Sequence, residues 1–385
     1  MSRWWPAVVA LGCIAFAAGS AAPGPPVARD QGVDPAVVMA DEGYWVSTAQ
    51  LTCVGDGAGA IAEARIARPN PVSVHPYEAN IGARALVVAG SRYLPMVAAY
   101  LRWYLSHLNR PDVDGVTGTV YDYDYDPVSC VGTRQRDPVT GVAPSYDSSD
   151  AYAGTFLTLV AAYARADPQG AAWIADPRTQ ADLSAVADAI TATLRPSGLT
   201  AATPTYDAQY LLDNVEAQQG LRDYAWLLTT VVGDAAQARR RTDQADGIAR
   251  AISSLLWRPG QAMYAVAAGG PDPSWSVWYP DSFAQMWPVW AGLGTPGSRA
   301  ALWADFAAHW PGWTASTPAF GSVTVDHDPN AALAYAAAMA GDRTDVLAYL
   351  TGSQQRWAGH PPPWTVDDSG FRALAAQAAS RWGGR

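Results

Sequence analysis

The chain has 385 residues, a net charge of −10 and 49% hydrophobic residues. All 25 basic residues are arginine, which excludes Schiff-base chemistry on a lysine and any lysine-tethered cofactor. The acidity and the lack of a basic patch argue against nucleic acid as a partner.

The first 22 residues read as a removable export signal. Arg3 precedes the apolar run "WWPAVVALGCIAFAA", and the small residues "GSAA" follow. The alternative is an uncleaved membrane anchor, for which the run is short. Residues 1–22 carry no charge except Arg3, so their removal leaves −11. A secreted or extracytoplasmic destination follows. Residues 23–34 form a Pro/Gly-rich linker. No later stretch has linker composition, so 35–385 reads as one domain, expected to be a monomer.

Apolar periodicity then predicts twelve helices. They run over 34–49, 77–89, 93–108, 148–165, 178–194, 211–230, 235–256, 282–292, 298–309, 329–340, 343–356 and 369–382. Punctuation such as "ARADPQG", "LRPSG", "GLGTPGS" and "AGDR" separates them. The one strand signal is "GVTGTVYDYDYDP", with aromatics at period two, and it predicts a hairpin or extended loop near 115–130. Cys53 and Cys130 outlast signal removal. Their 77-residue spacing does not decide a pairing, but export makes a disulfide the expectation. Neither cysteines nor histidines have metal-site spacing, and no cofactor is called for.

Alternate helices share a decorated start: an aromatic and an acid close together. These are "HPYEAN" (Tyr77, Glu78), "SYDSSD" (Tyr146, Asp147, Asp150), "QYLLDNVE" (Tyr210, Asp213, Glu216), "VWYPDS" (Trp278, Tyr279, Asp281), "VDHDPN" (Asp326, Asp328) and "PWTVDDS" (Trp364, Asp367, Asp368). The intervening helices lack this decoration. Six decorated helices running parallel inside six returning ones would bring all the decorated ends to one mouth. That plan is an all-α (α/α)6 toroid of six helical hairpins. An irregular helical stack would leave the alternation unexplained.

Each acid taken singly is a good helix cap. Asp147 is expected at the N-cap itself, leaving Asp150 one turn in to face the funnel. Taken together, acids crowded at one mouth raise one another's pKa, which is what a general acid needs. Two carboxylates flanking one bond suffice for glycoside hydrolysis. Glu216 is the first candidate, being one of only four glutamates and lying beside Asp213, Asn214, Gln218 and Gln219. Asp150 follows, with Ala151, Ala153 and Gly154 leaving room for a ligand. Asp281 is third. Asp122, in "YDYDYD", stands either over the funnel or on a solvated strand edge. Glu78 beside His75 is a capping pair or a catalytic one, and Asn80 could bond a sugar hydroxyl. His327 is a turn residue first.

Trp (17) and Tyr (18) far outnumber Phe (6), as suits a cleft that stacks sugar rings and bonds their hydroxyls. Tyr146, Tyr210, Trp278, Tyr279 and Trp364 would form its walls, and Tyr77 would join them in binding substrate.

With "YDSSDAYAGTFL", "YLLDNVEAQQGL" and "YPDSFAQMWPVW" at inner-helix starts, residues 40–382 resemble the six-hairpin glycosidase superfamily, toroids that include glucoamylase-type and endoglucanase-type enzymes. The resemblance implies an inverting acid/base mechanism across a cleft. It lies in plan and site style, and it assigns no catalytic residue by motif. A carbohydrate is then the expected substrate. A lyase or epimerase on a uronate is disfavoured, since the funnel motifs are nearly free of arginine, with Arg84 the nearest. A non-catalytic sugar-binding protein on the same toroid is the remaining alternative.

Overall fold

The computed structural model describes residues 32–66, 71–136, 141, 144–315 and 329–382. The export segment, most of the linker, and Asp326, His327 and Asp328 lie outside the described residues.

The helices are α1 (Pro35–Ser47), α2 (Pro76–Val88), α3 (Leu94–Ser106), α4 (Ser149–Ala166), the short α5 (Ala171–Ile174), α6 (Pro177–Ala192), α7 (Leu211–Leu227) and α8 (Ala235–Ala251). They continue with α9 (Met286–Trp290), α10 (Pro296–His309), α11 (Ala331–Ala340), α12 (Arg343–Arg356) and α13 (Val366–Ser380). Proline at the first turn starts α1, α2, α3, α6 and α10, where its missing N–H costs nothing. Side-chain caps from Asp34, Asp176, Asp234 and Asp342 start α1, α6, α8 and α12.

The expected alternation is the architecture. Helices α2, α4, α7, α9, α11 and α13 pack each on the next, and α13 closes onto α2. Buried residues run along nearly all sides of these six. The partners α1, α3, α6, α8, α10 and α12 lie outside and bury one stripe each. This is an (α/α)6 toroid.

Two helix junctions inside the ring are backbone-close. A Cβ on Gly154 would sit 2.5 Å from the Glu216 carbonyl oxygen, and one on Gly220 2.4 Å from the Gly154 carbonyl oxygen. On the other side, a Cβ on Gly370 would sit 2.2 Å from the Ile81 carbonyl oxygen. Gly154 therefore leaves room for α7 and not, as expected from sequence, for a ligand.

The first and last hairpins are tied by a buried ion pair. Arg372 on α13 donates to Glu42 on α1, whose other carboxylate oxygen lies 2.9 Å from His360 Nε2. Burial alone would raise the Glu42 pKa, but His360 and Arg372 hold it below the ordinary value. Arg372 also bonds Ser353 Oγ, Leu350 O and Gln354 Oε1, so its guanidinium is used on every side.

Three expectations are corrected. The β insertion is a three-stranded antiparallel sheet of β1 (Val72–Val74), β2 (Tyr123–Tyr125) and β3 (Gly132–Arg134), so the hairpin starts later than 115 and recruits a strand from before α2. The helix predicted over 282–292 is α9, preceded by a separate π-type turn at Trp278–Ser282 in which Tyr279 is extended. The N-cap of α4 is Ser148, not Asp147. A second hairpin, β4 (Trp257–Arg258) with β5 (Met263–Tyr264), was not foreseen. Cys53 and Cys130 form a disulfide with a Cα–Cα distance of 5.6 Å. It joins the loop after α1 to the β2–β3 turn.

Gly154→Val should destabilise the protein by about 1–3 kcal/mol or more, because α4 and α7 must part to admit the side chain. Gly247→Ala, inside α8 with only Arg250 Nη2 near at 3.9 Å, should be neutral or stabilising by about 0.5–1 kcal/mol. Urea unfolding of both variants tests the contrast.

Candidate active site

The N-termini of the inner helices converge, and the acids meet there. Glu216 lies in the second turn of α7. Its Oε1 accepts from Tyr77 Oη of α2 at 2.6 Å and from Trp287 Nε1 of α9 at 2.8 Å. Its Oε2 is buried and has no hydrogen-bond partner among the described residues. Asp150, in the first turn of α4, accepts from its neighbour Ala151 N at 2.9 Å through Oδ1, and its Oδ2 is likewise unpartnered. Asp213, one turn above Glu216, is 4% exposed against 1% for Glu216 and 0% for Asp150.

Burial is the largest force on each of these groups. It pushes Glu216 up to about 8, against the lowering effect of Tyr77 and Trp287 and with the help of Asp213. It pushes Asp150 up to about 7; Thr200 and the Ala151 N–H oppose it and the Glu216 charge adds to it. Asp213 is raised well above the ordinary value by burial, then by the charges of Asp150 and Asp147. The three acids cannot all ionise together at neutral pH. Tyr77 is raised well above its usual range by burial and by the charges of Glu216, Asp367 and Asp213, so it keeps its proton and remains a donor.

A second acid cluster adjoins the first. Asp122 precedes β2 and is buried, not on a solvated edge. Its Oδ1 accepts from Tyr152 Oη of α4 at 3.0 Å. Burial pushes it up to about 7; His75 lowers it, while Glu78 and Asp147 raise it. His75 Nδ1 lies 3.7 Å from both Glu63 Oε2 and Glu78 Oε2. Burial lowers the His75 pKa, but Glu78, Asp122 and Glu63 outweigh it and raise it overall. Glu78, Asp122, Asp147, Asp213, Asp150 and Glu216 therefore form one row, each charge acting on the next.

Other candidates are placed elsewhere or are already occupied. Asn80 donates to Tyr152 O and Thr155 Oγ1 and accepts from Tyr100 Oη. Asn214 bonds Thr200 through N, Oγ1 and O, and bonds Tyr210 O. Both asparagines are struts between elements, with no polar atom left for a sugar. Trp364 is buried against Trp357, His360 and Arg372, with Nε1 bonded to Ser369. Trp278 is buried against Phe283, Phe306 and Trp310. Neither indole has a free face to serve as a stacking wall. Asp281 takes the Ser274 N–H at 2.8 Å, which lowers its pKa, but burial outweighs this and raises it overall.

The half-buried rings fit the wall role better. Tyr146 donates to Asp112 Oδ2 at 2.8 Å and stacks on Tyr121. The Tyr210 hydroxyl lies 2.8 Å from that of exposed Tyr206. Tyr279 is half-buried against Phe283. On α13, Asp368 closes a capping box with Thr365, while Asp367 stays half-buried at the mouth. Sequence reasoning missed Trp287, Tyr152 and Tyr206. Trp287 stood in a quoted motif, "YPDSFAQMWPVW", but nothing local says that an indole in the first turn of α9 will reach across to α7.

No family model matches the chain, and no curated protein matches it. Solved structures do. A glycosidase variant in complex with glucose aligns over 90% of this chain and 97% of its own, at 14% identity and TM-score 0.59. A GH63 mannosylglycerate hydrolase from Thermus thermophilus, in complex with glucose, aligns over 89% and 100%, at 13% identity and TM-score 0.56. A rhamnosidase from Klebsiella oxytoca with rhamnose bound aligns over 79% of this chain and 57% of its own, at 14% identity and TM-score 0.52. These likenesses establish the shared fold, the (α/α)6 toroid.

The raised acids make stability depend on pH. Their folded pKa values exceed the unfolded ones, so the unfolded chain loses its protons first. Their contribution is whole below about pH 4 and is lost as pH rises toward 7–8, at about 1.4 kcal/mol per pH unit for each group. Urea unfolding between pH 5 and 8 should show this fall, and Glu216→Gln and Asp150→Asn should each flatten it. An unchanged slope in both variants would refute the buried-acid description.

Proposed function

We propose that this protein is an exported glycoside hydrolase acting on a neutral poly- or oligosaccharide by paired-carboxylate catalysis. One observation carries the reading: a closed ring of helix N-termini that holds Glu216 with one oxygen clamped and the other unpartnered, among acids that keep it protonated. The fold shared with glucose- and rhamnose-bound glycosidases supports it, although a fold alone does not assign a reaction.

Glu216 is the general acid. Tyr77 and Trp287 occupy Oε1, so the proton resides on Oε2, from which it passes to the leaving glycosidic oxygen. Burial, with Asp213 adding to it, holds this proton in place at neutral pH. The base that activates water is Asp367. In the ring, α13 lies three helices from α7 in either direction, hence opposite it, and both Asp367 and Glu216 act on the Tyr77 hydroxyl between them. An acid and a base on facing walls leave room for the attacking water, as inversion requires. Asp150, fully buried beside Glu216 on the neighbouring helix, is poorly placed for that task, and Asp281 takes no part. Tyr146, Tyr206 and Tyr210 stack the sugar at the mouth.

The test is reducing-sugar release by residues 23–385 on glucans, mannans, arabinans and small glucosides, mannosides and rhamnosides. Glu216→Gln and Asp367→Asn should each lower kcat by about 10²–10⁴-fold. kcat/KM should fall as pH rises through about 8, where Glu216 loses its proton, and Asp150→Asn should move that fall to lower pH. Full activity in both Glu216→Gln and Asp367→Asn would refute the assignment. Sugar binding with no release from any substrate would identify a binding protein on the same toroid.

A further inference from the structure

Between α2, α4, α7, α9 and α13, beside Glu216, lies a small, partly enclosed cavity. It offers about 10 Å³ to the centre of a water molecule, the room for one. Arg84 of α2, Thr155 of α4, Glu216 and Gln219 of α7, Trp290 near the end of α9 and Phe371 of α13 line it. Three of these residues carry a buried polar atom without a hydrogen-bond partner among the described residues: Glu216 Oε2, Arg84 Nε and Trp290 Nε1. Two are donors and one is an acceptor. Buried polar groups cost free energy unless paired, and three around one water-sized space is the pattern that an internal water satisfies.

We propose that this cavity is a binding site for one ordered water that links Arg84 Nε and Trp290 Nε1 to Glu216 Oε2, and that Arg84 is thereby a positioning residue for Glu216. The bonds balance. Arg84 Nε–H and Trp290 Nε1–H donate to the water oxygen and fill both its lone pairs. One water proton goes to Glu216 Oε2 and the other to Thr155 Oγ1 or Gln219 Oε1. A carboxyl oxygen has two lone-pair directions, so Oε2 accepts from the water below while its own proton points toward the mouth above.

The arrangement has a direction. A water that already accepts two N–H bonds can only donate to Oε2, and donation favours the carboxylate over the acid. The guanidinium charge adds to this through the water. The bridge thus opposes the groups that hold Glu216 protonated, which are burial, Asp213 on its own helix and Asp150 on α4. Tyr77 from α2 and Trp287 from α9 meanwhile fix the other oxygen. Arg84 itself lies with its guanidinium carbon 5.8 Å from the centre of the Tyr335 ring of α11, so it is steered from the far wall.

The inference concerns the acid of the proposed reaction, but its tests need no turnover, so the two can fail separately. The chain has four glutamates. Protein labelled with ¹³C at the glutamate carboxyl gives four signals, and Glu216 is identified by its loss in Glu216→Gln. Arg84→Met should raise the Glu216 midpoint by a unit or more, a tenfold change in proton affinity. Arg84→Lys, which keeps a charge but shortens the reach, should raise it less. A high-resolution crystal structure of the unmodified protein should show one water within hydrogen-bond distance of Arg84 Nε, Trp290 Nε1 and Glu216 Oε2. An unmoved midpoint in folded Arg84→Met, or a dry cavity in the crystal, would overturn the proposal. If Arg84→Met does not fold, the crystal structure decides alone.

Discussion

The molecule depends on how closely its inner helices approach one another. Backbone meets backbone where Gly154 and Gly220 join α4 to α7, and where Gly370 meets Ile81 to close α13 on α2. A ring this tight lets a tyrosine on α2 and an indole on α9 reach the same carboxyl oxygen on α7. Larger residues at those crossings would widen the ring and pull the donors away from Glu216. The ring also has to be held shut, which is the work of the Glu42–Arg372 pair between the first and last hairpins. That pair is buried, but Nε and Nη2 of Arg372 also find acceptors in Ser353, Leu350 and Gln354, which is the condition under which a buried ion pair is tolerable.

The acid row shows two opposite electrostatic effects in one place. Helix N-termini favour negative charge, and Glu78, Asp150, Asp213, Glu216 and Asp367 sit in the first two turns of α2, α4, α7 and α13. Burial and mutual repulsion disfavour it. Burial wins at Glu216, Asp150, Asp213 and Asp122, all of which are raised. It loses at Glu42, where a guanidinium and an imidazole face the carboxylate directly. The protein thus keeps one fully compensated acid for its architecture and several uncompensated ones for its mouth. Uncompensated buried acids oppose stability, and they persist where they have a use.

Several polar residues that looked functional in the sequence turned out to be structural, and the reason is a common one. Asn80 and Asn214 stand in the decorated helix starts, but loops and neighbouring helices there leave backbone groups that need partners, and an amide satisfies several at once. Trp278 and Trp364 stand there too, but each turns its ring into the gap between inner and outer helices. Conversely, nothing local in the sequence singles out Tyr152 and Trp287, and each places a polar tip on a mouth acid. Which way an aromatic residue turns depends on what surrounds it, and helical spacing does not report that.

The sequence alone determined the helices except the short α5, their boundaries to within a few residues, and their alternation between decorated and plain, because these follow from local periodicity, caps and prolines. The alternation in turn implied the toroid and the gathering of acids at one end. Tertiary structure decided the rest. It moved the α4 cap from Asp147 to Ser148, added a third strand to the insertion and buried Asp122. It gave Gly154 to helix packing and placed Arg84 and Glu216 on one cavity. Each of these depends on contacts between residues far apart in the chain, and pairwise distance across a closed ring is not written in any local pattern.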